Sequence, residues 1–71
     1  MQYNIAYFKD KKPKRIPVTA PNVGAAVSAL MEHRQRIIDD TTENEARNVL
    51  LLNADGLIIR TVDVISGSVS E

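Results

Sequence analysis

The chain is predicted to be an α+β domain: a four-stranded antiparallel sheet with one helix packed on one face, in the order β-β-α-β-β. Three patterns carry that prediction. Tyr3, Ile5 and Tyr7, then Ile16 and Val18, alternate with other residues at the two-residue period of a half-buried strand. Val23, Ala26, Val27, Leu30 and Met31 recur at helical spacing. Two runs rich in Val, Ile and Leu, residues 48–52 and 57–65, flank the turn sequence Asn53-Ala54-Asp55-Gly56. A length of 71 residues allows one such unit, assigned to residues 1–65, with 66–71 as a flexible C-terminal tail.

The first hairpin joins Gln2–Lys9 to Arg15–Thr19. With Lys9 facing Lys14 across a four-residue loop, Tyr7 falls opposite Ile16 and Ile5 opposite Val18, so the bulky apolar pairs share one face. Pro17 has no N–H for a ladder, which places the second strand at a sheet edge. The helix opens at Pro21 with Asn22 as a capping side chain and runs to Arg34, or a turn further through Ile37 and Ile38. Asp39-Asp40-Thr41-Thr42-Glu43-Asn44-Glu45 is acidic, which the negative end of a helix disfavours, and is assigned to a loop. Placing strand one beside strand three makes the sheet antiparallel throughout in the order 2-1-3-4 and keeps Pro17 at the edge.

Pairing Asn53 with Leu57 in the second hairpin sends Leu50, Leu52, Ile58, Val62 and Val64 toward the helix. Val49, Leu51, Leu57 and Ile59 then fall on the other face, near Phe8 of strand one. One helix covers one face of a sheet, so Phe8, Val49, Leu51, Leu57 and Ile59 are candidates for a partner-binding or self-association surface. The competing reading is that twist and long side chains such as Arg47 cover the patch.

Formal net charge is zero, yet the halves differ. Residues 1–38 hold seven basic and two acidic side chains, and residues 39–71 hold two basic and seven acidic. Five of the cations, Lys9, Lys11, Lys12, Lys14 and Arg15, cluster at the tip of the first hairpin. They form a second candidate surface, for an acidic protein or for nucleic acid through salt-sensitive phosphate contacts.

Evidence for catalysis is lacking. There is no Cys, and the single His33 borders the apolar stripe of the helix with no carboxylates at metal-ligand spacing. Gly24, Gly56 and Gly67 are isolated rather than forming a phosphate cradle, and no base is placed beside Ser28 by any motif. Neither enzyme activity nor a cofactor or metal is expected. No basic-then-apolar leader opens the chain, and no apolar run approaches the roughly 18 residues that span a bilayer, so a cytoplasmic protein without membrane contact is expected.

The hairpin from Tyr3 to Val18 is followed by Ala20-Pro21-Asn22-Val23-Gly24-Ala25-Ala26-Val27 opening an Ala-rich helix. Val49-Leu50-Leu51-Leu52-Asn53 then leads through Asp55-Gly56 into a last strand. In this layout the chain resembles small phage-encoded β-β-α-β-β proteins, including anti-CRISPR inhibitors of type I systems. The resemblance covers most of the chain as a pattern and maps no individual residue. It implies a non-catalytic protein that blocks a host nucleoprotein complex sterically or by charge. A nucleic-acid-binding protein and a structural homo-oligomer subunit, in its simplest form a homodimer, are the alternatives.

Overall fold

Alternating Tyr3, Ile5 and Tyr7 build β1 (Gln2–Lys9), which forms a hairpin with β2 (Lys12–Thr19) in a computed structural model that describes residues 1–70. The helical segments follow as α1 (Val23–Glu32), α2 (Arg34–Asp40) and α3 (Glu43–Ala46). Then come β3 (Val49–Leu52), β4 (Ile58–Asp63) and β5 (Ser68–Ser70). The fold is α+β with an antiparallel sheet in the order β2-β1-β3-β4-β5. The four expected strands keep their order, but among the described residues there are five strands and three helices rather than four and one.

The first hairpin turns in two residues, not four. Asp10 and Lys11 both take positive φ (51° and 67°), and Lys9 pairs with Lys12. A two-residue turn of this hand matches the right-handed twist of the strands, which a longer loop does not need to do. The pairing moves by two residues, to Ile5 opposite Ile16 and Tyr3 opposite Val18, so every side chain stays on its expected face.

Met1 and Ala20 exchange both backbone hydrogen bonds (3.0 and 2.8 Å). Hydrogen-bonded pairs alternate along an antiparallel ladder, so residues 13, 15, 17 and 19 turn their backbone groups away from β1. Both prolines of β2 sit at those outward positions. Pro13 and Pro17 cost the sheet no hydrogen bond and leave two gaps in the donors along its free edge.

The helical layer is broken in two places. Asn22 caps α1 by accepting from the Ala25 N–H at 2.8 Å, and the run pauses at His33 (φ −88°, ψ 2°) before α2 brings Ile37 into the core. The acidic stretch expected to be a loop is instead the end of α2 and the whole of α3. Thr42 and Glu45 cap each other's backbone N–H groups, a Thr-x-x-Glu capping box. Glu43 and Glu45 thus lie at the positive end of a new helix, where acidic charge is favoured.

One core holds the two layers together. Tyr3, Ile5, Ile16, Val18, Val49, Leu51 and Val62 from the sheet pack with Ala26, Leu30, Ile37 and Ala46 from the helices. This corrects the expectation for strand three: Val49 and Leu51 are fully buried against the helices and are not on the open face. The cause is a register shift. Leu52 pairs with Ile58, but Leu51 pairs with Arg60 and Val49 with Val62, leaving Ile59 as an extra residue. A bulge inverts the phase of everything beyond it, so Val62 meets Val49 instead of Asn48.

The tail expected over residues 66–71 is also corrected for its described part. Gly67 adopts φ 82°, the turn closes with a Gly67 N–H to Asp63 carbonyl bond of 2.7 Å, and Ser68–Ser70 pairs with β4. Residue 71 lies outside the described residues.

Candidate partner-binding surfaces

Two surfaces remain once the core is assigned. The first is the face of the sheet opposite the three helices. Strand alternation places Ala6 and Phe8 of β1, Leu50 and Leu52 of β3 and Ile58 of β4 there, with Ala6 opposite Leu50 and Leu52 opposite Ile58. Phe8 is 44% and Ile58 59% exposed. Leu52 is buried on this side, between Asn4 of β1 and Ile58 of β4.

Of the residues expected on this face, Phe8 alone is there as a strand residue. Val49 and Leu51 are core. Leu57 is exposed but lies in the turn before β4, and Ile59 packs partly against the core at the bulge. Leu50, Leu52 and Ile58, assigned to the helix side from sequence, take their places. Arg47, which the competing reading lays over the patch, is held by Glu43 at 2.8 Å and Asp63 at 2.9 Å.

The second surface is the basic edge. Lys9 is withdrawn from it by a 2.6 Å ion pair with Asp40. Asp40 also accepts a 3.1 Å hydrogen bond from the Tyr7 hydroxyl. Lys11, Lys12, Lys14 and Arg15 are exposed and make no ion pair among the described residues. Strand alternation divides them, with Lys12 and Lys14 on the helix side and Arg15 on the other. Arg36, from α2, joins them across a groove of about 540 Å³ lined by Tyr7, Lys14, Arg15, Ile16, Arg36, Asp39 and Asp40. The sequence reading missed Arg36, because its approach to β2 is a contact between residues some twenty positions apart that no local pattern encodes.

The electrostatics of this corner are mutually reinforcing. The Lys9 ammonium, and after it the Tyr7 hydroxyl, hold the Asp40 carboxyl below its ordinary value. In return, the bond to Asp40 raises Lys9, and burial followed by the same carboxylate raises Tyr7. Glu45 is lowered chiefly by the Thr42 backbone N–H, with smaller help from the backbone of Lys11 and Asp10 in the hairpin turn. Asp63 is lowered first by the Ser66 backbone and then by Arg47.

These shifts set the pH limits of the fold. Carboxyls depressed in the folded state contribute stability that is present above about pH 4 and is lost as pH falls through their lowered values. Lys9 and Tyr7, raised in the folded state, contribute stability that is present below about pH 10 and is lost above it. Thermal melts followed by circular dichroism from pH 2 to 11 are expected to show a plateau falling at both ends. Asp40→Asn, which removes the partner of both groups, is expected to flatten both limbs; unchanged limbs would mean that Asp40 does not couple Tyr7 and Lys9.

No protein-family model, curated protein sequence or solved structure matches the chain. The chemistry of the two surfaces therefore carries the functional reading. Among the described residues no helix is long and apolar enough to cross a membrane, and no group of three His, Cys, Asp or Glu side chains is placed to hold a metal ion.

Proposed function

We propose that the chain is a small non-enzymatic protein-binding module of the cytoplasm, an inhibitor of the phage or mobile-element type that blocks a host complex sterically or by charge. The observation that carries this reading is the sheet face opposite the helices, where Phe8 and Ile58 stand exposed and Leu52 lies beside Ile58. Apolar side chains exposed on a sheet face gain free energy when a partner removes them from water, at about 25 cal/mol per Å². The resemblance of the sequence pattern to small anti-CRISPR inhibitors supports a nucleoprotein complex as the kind of target.

The test is capture from host lysate by the wild-type chain and by a Phe8→Glu, Ile58→Lys double variant of matched melting temperature. Proteins retained by the first and lost from the second are expected. An identical set on both, or none on either, overturns the reading. Light scattering on the same samples addresses self-association, because a wild-type dimer that the double variant dissociates assigns the face to a homo-oligomer.

A second reading rests on a separate observation, the row of unpaired cations along β2. Nucleic acid bound there requires mobility shifts on generic DNA or RNA that weaken steeply with salt and with Lys11→Glu plus Lys12→Glu.

A further inference from the structure

The groove between β2 and α2 is a second site, on the opposite side of the sheet from the apolar face. We propose that it receives an acidic peptide segment, with a carboxylate of the segment held by Lys14 and Arg36. Both cations line one cavity and neither makes an ion pair within the chain among the described residues. Of the two carboxylates lining it, Asp40 is balanced by Lys9, and Asp39 accepts a 2.8 Å hydrogen bond from Gln35. Asp39 keeps its charge, and Lys14 and Arg36 together outweigh it, so the local balance is positive. The Arg36 guanidinium supplies the planar paired donors that suit a carboxylate or a phosphate.

Three features favour a peptide over a nucleic acid. The ring of Tyr7, the aromatic residue of the groove, is 4% exposed, and its hydroxyl is committed to Asp40, so it offers no face on which a base could stack. Asp39 and Asp40 lie beside the cations, where a continuous phosphate backbone would meet them at close range. A peptide instead places its single charges and sets an uncharged backbone against them. Ile16, which lines the groove, provides an apolar contact for a neighbouring side chain.

The edge of β2 also limits how that segment is held. Its outward positions 13, 15, 17 and 19 include two prolines, so an added strand would find donors only at Arg15 and Thr19. Recognition therefore runs through side-chain charge rather than strand addition, and it should be salt-sensitive.

The site is tested by titrating the ¹⁵N-labelled full chain with a blocked tetraglutamate peptide at low salt. Oligothymidine and inorganic phosphate serve as comparison probes. Saturable shifts at Lys14, Arg15, Ile16 and Arg36 are expected, with affinity falling at least about tenfold in Lys14→Glu plus Arg36→Glu. Lys14→Gln plus Arg36→Gln, which leaves the charge of the acidic wall unchanged, is a milder variant in case charge reversal disturbs the fold. The proposal is overturned if tetraglutamate produces no saturable shift, if neither variant weakens it, or if oligothymidine or phosphate binds more tightly. Phe8→Glu plus Ile58→Lys is expected to leave this titration unchanged, so failure here is distinguishable from failure of the sheet-face reading.

Discussion

Leu51→Ala is expected to lower the free energy of unfolding by about 2–5 kcal/mol, and Leu50→Ala by roughly 1 kcal/mol. The two residues are adjacent and chemically identical, so intrinsic propensity cancels between them. What differs is the face: Leu51 is fully buried in the core beneath the helices, and Leu50 is half-buried on the side without them. A chain of 71 residues without a disulfide has little margin, so the first substitution takes away a large share of the total stability. Urea denaturation of the purified variants measures both. Equal losses, or a larger one at Leu50, would place the bulge at Ile59 in error and restore Val49 and Leu51 to the surface.

Replacing Pro13 and Pro17 together by Thr is expected to turn β2 into an adhesive edge. Both positions point their backbone outward, so each Thr adds a free N–H to a strand that now presents a continuous row of donors and acceptors. Neither proline contributes a hydrogen bond to β1 that the change could remove. The folded monomer should therefore lose little stability while its tendency to pair edge to edge rises. Sedimentation velocity over a hundredfold range of concentration is the measurement. The double variant is expected to shift to larger species at concentrations where the wild-type chain does not. Identical behaviour would show that the charges of Lys12, Lys14 and Arg15 suffice to guard the edge without the prolines.

Much of the fold was legible because its signals are local. The two-residue period of Tyr3, Ile5 and Tyr7, the cap at Asn22 and the glycine of the Asn53–Leu57 turn each act over a few bonds. Each reappears in the structure, with Gly56 at φ 82° and the Asn53 side chain accepting from Asp55 and Leu57. Thr42-x-x-Glu45 was also a local signal, a capping box hidden within a run read only for its charge. The two candidate surfaces were less legible. Phe8 was placed by alternation along one strand, but Leu50, Leu52 and Ile58 depended on the phase between two strands. That phase hinges on whether Ile59 is paired or bulged.

The sequence by itself determined the class of the fold and the edge position of β2, because periodicity, turn chemistry and the missing proline N–H are properties of neighbouring residues. The tertiary structure alone decided which leucines of β3 are core, that Lys9 is spent on Asp40, and that Arg36 faces Lys14 across a groove. Those outcomes depend on register and on contacts between residues twenty to thirty positions apart. Their free energies appear only when the layers close together and one residue of slip exchanges the inside for the outside.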